Sequence, residues 1–297
     1  MINPTIVFKN TKLKKIINVY QKKENGHKTY GIGDFIRGCF CLAQICKKLQ
    51  IEFDIDISNH PLSKFIVDGE IKKEVTDYDN VPYFNNMNFI YIDSLSFTTD
   101  SHNFYNSFID HLNTLETEYY YLQCNSFPAW KNMHYTERQL LQSKLTPTPE
   151  MIHHVQDALY KVGLSSTPFG IIHIRTGDSS LVNGEKTDPK KFYRIYKLLE
   201  QIVNNKNRKF LILSDDNILK MGLKKMFYNV SCYSLEITHL GESTNQTADS
   251  LKNTMLDFFI IGHAKFVINI SFNNWGSGFS EWSSALQNIP YKKIILS

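Results

Sequence analysis

In the second half of the chain, short apolar segments alternate with segments whose apolar residues recur every three and four positions. The apolar segments predict strands at 169–175, 209–216, 230–235 and 266–271. The recurring patterns predict helices at about 189–204, 217–227, 247–263 and 277–287. This alternation is typical of a parallel sheet with helices on both faces.

The first half of the chain is aromatic and less regular. Apolar segments predict strands at 16–20, 51–57, 88–93 and 118–124, and a helical pattern follows Gly33. The segment 146–154 predicts a linker that enters a helix at Pro149. We therefore predict an α/β protein of two Rossmann-like domains that face a cleft, residues 1–148 and residues 149–297.

The composition is that of a globular protein with a full core, with 42% hydrophobic and 21% charged residues among 297. A net charge of +4 is too mild to indicate nucleic acid, although it suits an anionic small ligand. The N-terminus lacks a continuous apolar segment, and no run approaches 18 apolar residues. We therefore expect no signal peptide, no membrane span and a cytoplasmic location.

Polar residues follow three of the strands predicted in the second half. These clusters are His173-Ile174-Arg175-Thr176-Gly177-Asp178, Ser214-Asp215-Asp216 and Ser271-Phe272-Asn273-Asn274. In open α/β sheets, ligands bind beyond the carboxyl ends of the strands. An arginine there can bind a diphosphate with two hydrogen bonds, and hydroxyls and helix N-terminal amides add donors. The alternative is that the first cluster is a strand followed by a salt-bridged turn.

Asp257 lies inside the helical pattern LKNTMLDFFIIGHA, just before four apolar residues. A buried carboxylate in such a place requires a partner. An arginine or lysine of the protein would make Asp257 a structural residue. The N1 and N2 donors of a guanine would instead make it part of a nucleotide site.

Together these residues resemble the fucosyltransferase superfamily of GT-B glycosyltransferases, which includes α-1,2-, α-1,6-, nodulation and protein O-fucosyltransferases. The family's H-x-R-x-(G/T)-D motif is matched by His173, Arg175 and Asp178, and its strand ending in (S/T)-D by Ser214 and Asp215. Its helical Asp, apolar strand and Ser-Phe turn are matched by Asp257, the segment 266–271, and Ser271, Phe272 and Asn273. Asn273 stands where serine is usual in the family.

The resemblance implies a role for each of these positions. Arg175 would bind the β-phosphate and help the leaving group depart, and the turn at 271–273 would contact the diphosphate. His173 and Asp257 would lie around the guanosine. Many relatives carry a second arginine where this chain has Thr176.

Near the N-terminus, YGIGDFIRG at 30–38 resembles the first loop of the family, which often reads G-x-G-N-Q. Gly31 and Gly33 would let the backbone approach a phosphate at the positive end of the following helix. They could equally serve a turn that needs a positive φ. Asp34 stands where the family commonly has an amide, and it could orient the acceptor hydroxyl or act as its general base. Arg37 could reach the donor phosphate or form a surface ion pair.

Two D-x-D triplets, at 54–56 and 77–79, match the metal motif of another glycosyltransferase fold. The alternation around the first triplet fits a half-exposed strand, and the five cysteines lack zinc-ligand spacing. We therefore predict no metal and no cofactor. His239 could border the nucleotide or lie in an ordinary loop, and 179–188 could cover the donor as a flap or be a plain loop.

We predict a metal-independent, inverting glycosyltransferase that moves fucose from GDP-fucose, the nucleotide-sugar donor, to a hydroxyl of a glycan or glycoprotein acceptor bound by the N-terminal half. Two alternatives stay open. The same fold could use UDP- or GDP-linked xylose or rhamnose, or the chain could bind a nucleotide sugar or glycan without turnover. A dinucleotide-dependent enzyme is excluded because the sequence lacks the G-x-G-x-x-G fingerprint and its ribose-binding acid.

Overall fold

The computed structural model describes residues 7–21, 31–71, 81, 83–84, 99–125, 135–177, 187–238, 240 and 247–296. The chain forms two compact units. The first unit takes its residues from Met1–Lys23, Asp34–Ser63 and Asp68–Leu145, and the second takes them from Glu24–Gly33, Lys64–Val67 and Thr146–Ser297. In the described ranges, no helix is both long and apolar enough to cross a membrane.

The first unit contains a parallel sheet in the order β2-β1-β4-β3. Its strands are β1 (Lys15–Val19), β2 (Glu52–Asp56), β3 (Tyr83–Phe84) and β4 (Tyr119–Cys124). Helix α1 (Ile32–Leu49) belongs to this unit from Asp34 onward, α2 (Thr99–Thr114) and α3 (Tyr135–Lys144) belong to it entirely, and a 3-10 helix, Pro61–Phe65, begins in it after β2. Three of the four strands predicted here are confirmed, whereas the segment 88–93 lies outside the described residues.

The second unit contains a five-stranded parallel sheet in the order β7-β6-β5-β8-β9. The strands are β5 (Phe169–Arg175), β6 (Lys209–Ser214), β7 (Val230–Ser231), β8 (Val267–Ser271) and β9 (Tyr291–Ile295). The helices are α4 (Pro149–Lys161), α5 (Pro189–Ile202), α6 (Asn217–Met226), α7 (Ala248–Ile260) and α8 (Gly278–Gln287), and a 3-10 helix, Ile261–His263, follows α7.

The sequence prediction of the second unit is confirmed in outline and corrected at two strands. The strand predicted at 230–235 is only two residues long, so Tyr233 lies in irregular backbone. Strand β9 escaped prediction because Lys292 and Lys293 interrupt its apolar pattern. Lysines are common on edge strands such as β9, where they discourage pairing with another chain.

Local signals explain where the helices of the second unit begin. Asp188 caps α5 by accepting a hydrogen bond from the Lys190 amide at 2.7 Å, and Pro189 occupies the first helical position. Thr247 and Ser250 cap α7 reciprocally. The buried core that these helices share with the sheet includes Ile172, Ile174, Ile195, Leu199, Phe210, Ile212, Leu219, Leu223 and Ile270.

Close packing in the first unit requires a glycine in the middle of α1. A Cβ on Gly38 would lie 1.7 Å from the carbonyl oxygen of Cys124, at the end of β4. We expect Gly38→Ala to lower the free energy of unfolding by at least about 1–3 kcal/mol, because backbone must move to admit the methyl group. Urea unfolding followed by circular dichroism measures this change.

Gly222 in α6 offers the matched control, because its Cβ would meet the Phe192 ring at 3.4 Å, an ordinary contact. Gly222→Ala should leave the unfolding free energy unchanged or raise it by up to about 1 kcal/mol, through helix propensity. Equal effects at Gly38 and Gly222 would contradict the packing described for α1.

Candidate functional site

Three polar strand ends meet at the carboxyl edge of the second sheet. The pairing of β5 with β6 sets Ile174 beside Ser214, and the pairing of β5 with β8 sets Arg175 beside Ser271. All three strands run parallel, so the residues that follow them emerge at the same edge. The predicted convergence of the three clusters is therefore a feature of the sheet register.

Asp215 binds the end of β5 with both carboxylate oxygens. Its Oδ2 lies 3.0 Å from Arg175 Nη1, and its Oδ1 accepts hydrogen bonds from the Thr176 amide at 2.9 Å and the Thr176 hydroxyl at 2.8 Å. The Gly177 amide donates to Oδ2 at 3.3 Å. Gly177 has a φ of 134°, a conformation that favours glycine. Asp215 thus holds both the guanidinium and the turn after β5.

The adjacent carboxylate, Asp216, has a different task. Its Oδ1 accepts from the Leu219 amide at 2.9 Å and caps α6, and its Oδ2 accepts from the amide and hydroxyl of Thr187. Burial raises the pKa of Asp216, but the hydrogen bonds from Thr187 and from the Leu219 amide outweigh burial and lower the pKa below its ordinary value. Asp216 therefore anchors α6 and the segment that enters α5.

His173 is a buried, neutral imidazole. Its Nδ1 lies 2.8 Å from Ser280 Oγ at the start of α8, and its backbone oxygen accepts from Asn269 Nδ2 at 3.1 Å. Burial, with a smaller contribution from the charge of Arg175, lowers the pKa of His173 to about 3. The ring therefore carries no positive charge at neutral pH.

The turn after β8 adds an aromatic ring that lies near two cations of α5. Ser271 Oγ accepts from the Asn273 amide at 3.0 Å, which shapes the turn. The Phe272 ring has Lys191 Nζ at 5.2 Å and the Arg194 guanidinium carbon at 5.8 Å from its centroid. Sequence reasoning missed these two cations, because basic residues at such positions of α5 look like ordinary surface charges.

Asp257 is paired inside the protein. It is 3% exposed, and the hydroxyl of Tyr233 donates to its Oδ1. Burial raises the pKa of Asp257, and the charge of the buried Lys220 in α6 opposes that rise. The hydrogen-bond partner of Asp257 is thus a tyrosine, which sequence reasoning missed, and Lys220 acts on Asp257 only through its charge. Contact of Asp257 with a guanine stays a prediction.

The glycine-rich segment leads into α1. Gly31 directly precedes the helix. Gly33 belongs to the second unit, and its Cβ would come within 2.3 Å of the Gly278 backbone, so close approach and not a positive φ requires glycine there. In the first unit, Arg37 Nη2 lies 3.0 Å from Asp34 Oδ1, and Arg37 Nε donates to the Asn125 carbonyl at 2.7 Å. The predicted ion pair of Arg37 is thus with Asp34, whose side chain is 38% exposed.

The other predicted positions either lie outside the described residues or have partners within the protein. Asp178, His239, the segment 179–186 and the second D-x-D triplet lie outside the described residues. In the first triplet, Asp54 pairs with Lys144 at 2.6 Å and Asp56 accepts from the Ser58 amide and hydroxyl. Within the part of the chain that the structure describes, no group of three or more His, Cys, Asp or Glu residues could hold a metal ion.

The fold is that of GT-B glycosyltransferases of the fucosyltransferase type, with parallel α/β units. The chain is similar to the structure of the fucosyltransferase NodZ from Bradyrhizobium, with a TM-score of 0.53, 14% identity, and coverage of 97% of this chain and 96% of NodZ. NodZ α-1,6-fucosyltransferase co-crystallized with GDP has a TM-score of 0.51 at 14% identity over the same shares of the two chains. NodZ soaked with GDP-fucose has a TM-score of 0.51 at 12% identity, covering 93% of each chain.

No protein-family model matches the sequence, and no curated protein matches it. At these identities the likeness to NodZ establishes the fold and nothing finer. The predicted α/β, GT-B fold class is confirmed.

Proposed function

We propose that the chain is a glycosyltransferase that transfers fucose from GDP-fucose to a hydroxyl of a glycan or glycoprotein. The observation that carries this proposal is Arg175, which Asp215 holds at the carboxyl edge of the second sheet, beside Ser271. Ligands of open α/β sheets bind at this edge. The complexes of NodZ with GDP and GDP-fucose support a nucleotide-sugar donor for the same fold.

Arg175 stabilises the departing diphosphate in the proposed mechanism. The fucose–oxygen bond to the β-phosphate breaks as the acceptor oxygen attacks the anomeric carbon from the opposite side, which inverts the configuration. Negative charge then grows on the phosphate, and a guanidinium whose position is fixed before the reaction stabilises that charge. Such electrostatic stabilisation is usually the largest single contribution to catalysis. Asp215 acts through Arg175. The guanidinium, with amides at helix N-termini, supplies the positive charge, so the reaction needs no metal.

The other predicted residues surround the donor or the acceptor. The turn at 271–273 contacts the diphosphate, and Asp178, three positions after Arg175 in the sequence, belongs to the same donor site. His173, which is neutral, and Asp257 contact the guanosine. Residues 1–148 supply the acceptor side and residues 149–297 the donor side.

The start of α1 completes the proposed assignment. The backbone at Gly31 and Gly33 approaches the donor phosphate. Asp34 is the candidate base for the acceptor hydroxyl, and Arg37 Nη2, 3.0 Å from its Oδ1, helps to hold its side chain in place.

A thermal-shift panel with GDP, UDP, CDP and NAD tests the donor assignment. We expect stabilisation by GDP alone, by about 2.7 kcal/mol when GDP is present at 100 times its dissociation constant. The shift should be the same with and without EDTA. Stabilisation by UDP alone would be consistent with a glycosyltransferase but would indicate a UDP-linked sugar, and not GDP-fucose, as the donor. If no nucleotide stabilises the protein, a nucleotide-dependent transferase is ruled out.

A further inference from the structure

Asn269 is a completely buried residue of β8 that lies beside His173 of β5. Two backbone groups fix which way its side-chain amide is turned. The Ser277 amide donates to Asn269 Oδ1 at 3.1 Å, and Asn269 Nδ2 donates to the backbone oxygen of His173 at 3.1 Å. The opposite orientation would set two donors against each other at Ser277 and two acceptors against each other at His173. Asn269 Nδ2 is therefore the atom that faces the His173 side chain.

The same amide decides which nitrogen of the His173 ring carries the proton. Asn269 Nδ2 lies 3.4 Å from His173 Nδ1, and Ser280 Oγ lies 2.8 Å from that nitrogen. A proton on Nδ1 would face the N–H groups of Asn269, whereas an unprotonated Nδ1 accepts a hydrogen bond from the Ser280 hydroxyl. In a neutral imidazole, the hydrogen bond that one nitrogen makes determines the state of the other. The proton of His173 is therefore on Nε2.

Nε2 is the nitrogen of His173 that is available to a ligand. No described residue hydrogen-bonds to it, and 7% of the surface of His173 is exposed. His173 stands two positions before Arg175 in the same strand, so the two side chains lie on the same face of the second sheet. The fixed proton thus places a neutral N–H donor on the face that also carries the Arg175 guanidinium.

We propose that Asn269 and Ser280 are positioning residues that hold the proton of His173 on Nε2, so that the neutral ring offers a hydrogen-bond donor to the bound nucleotide. This inference rests on the proposed function, because that function supplies the nucleotide. The other tautomer would present a lone pair to the same acceptor atom of the ligand and would repel it. An imidazolium would also donate, but burial and the charge of Arg175, which lower the pKa of His173 to about 3, exclude it at neutral pH.

Nitrogen NMR of the free protein tests the tautomer directly. In protein labelled with ¹⁵N-histidine, we expect the His173 ring to show one-bond coupling to hydrogen at Nε2 and the resonance of an unprotonated nitrogen at Nδ1. The His173→Gln variant identifies these signals among those of the ten histidines. A proton on Nδ1 in the wild-type protein would overturn the proposal, whether or not the protein binds a nucleotide.

Ser280→Ala should weaken the preference for the Nε2 proton, because Nδ1 loses its principal donor. We expect a population with the proton on Nδ1 to appear in the NMR spectrum, and GDP affinity to fall at least about threefold. Ser283→Ala is the matched control, because Ser283 is an equally buried serine of α8 whose hydroxyl donates to the Phe258 carbonyl at 2.8 Å. It should change neither the tautomer nor GDP affinity. Equal effects of the two variants would make Ser280 a merely structural residue and refute its role.

Asn269→Leu tests the second positioning residue, because leucine has nearly the shape of asparagine and offers no donor. The Nδ1 proton should appear in this variant as well, and more strongly in Asn269→Leu/Ser280→Ala. A folded Asn269→Leu protein with an unchanged tautomer would rule out the role of Asn269. If Asn269→Leu does not fold, the wild-type spectrum and the pair of serine variants still decide the proposal.

A double-mutant cycle separates positioning from structure. In a His173→Phe background, which has no ring nitrogen, Ser280→Ala should cause no further loss of GDP affinity, because the serine acts through His173. Losses that add in the double variant would contradict the proposal. Wild-type protein that binds no GDP would instead refute the proposed function, a result distinct from the tautomer found in the free protein.

Discussion

Replacing Arg175 with alanine should lower the turnover number of fucose transfer by about 100- to 1,000-fold, the usual effect of losing one fixed donor that stabilises a developing negative charge. The guanidinium lies at the end of β5 and is held by Asp215 at 3.0 Å. Its position is therefore set before the donor binds. The loss should appear mainly in kcat, because the charge on the leaving phosphate grows during bond cleavage. Release of GDP from GDP-fucose in the presence of acceptor measures it.

Arg175→Lys is the matched variant, because it keeps a positive charge and loses the planar, forked donor geometry. We expect it to fold like wild type and to lose at least about tenfold in turnover, the value of one charge-assisted hydrogen bond. Full turnover in Arg175→Ala would refute the assignment of Arg175 to the leaving group. If the turnover of Arg175→Ala fell only because the variant unfolds, its circular dichroism spectrum would show the unfolding.

Replacing Asp215 with alanine should produce the largest loss of stability, about 3–5 kcal/mol in the free energy of unfolding. Asp215 is a buried carboxylate that accepts hydrogen bonds from Arg175, from the amide and hydroxyl of Thr176 and from the Gly177 amide. Without it, a largely buried guanidinium and three other donors lose their acceptor. Urea unfolding measures the loss, and turnover should fall as well because Arg175 is no longer held.

Asp188→Ala is the control for the Asp215 variant. Asp188 is an exposed carboxylate of the same unit that caps α5 through one hydrogen bond, from the Lys190 amide. Its removal should lower the free energy of unfolding by about 1 kcal/mol and leave turnover unchanged. The double variant Arg175→Ala/Asp215→Ala should be less destabilised than the sum of its single changes, because the two groups share one interaction. Equal losses in Asp215→Ala and Asp188→Ala would contradict the role of Asp215.

Much of the fold of the second unit was predictable because its strands are buried on both faces. Such strands read as continuous apolar runs, and Phe169–Arg175 was predicted with its observed bounds. Edge and polar elements were less predictable. Two consecutive lysines interrupt the apolar pattern of strand β9, and helices α2 and α3 carry too little apolar periodicity to be recognised.

The candidate site divides in the same way. Arg175 and Ser271 were predictable as site positions because each ends an apolar strand, and parallel strands end at one edge. The burial of Lys220 beside Tyr233 was not predictable, because a lysine on a helix is ordinarily a surface residue. Tyr233 was hidden as well, since the strand predicted over it ends at Ser231.

By itself, therefore, the sequence determined the alternation of strands and helices, the α/β class and the polar residues at the strand ends, because each depends on neighbours within a few positions. Tertiary structure alone decided which polar groups meet. Arg175 and Asp215 lie 40 positions apart, and Tyr233 and Asp257 lie 24 apart. Only the register of the sheet and the packing of helices on it bring such groups within hydrogen-bonding distance. Burial then sets their charge, since a carboxylate or ammonium removed from water stays ionised only beside a partner.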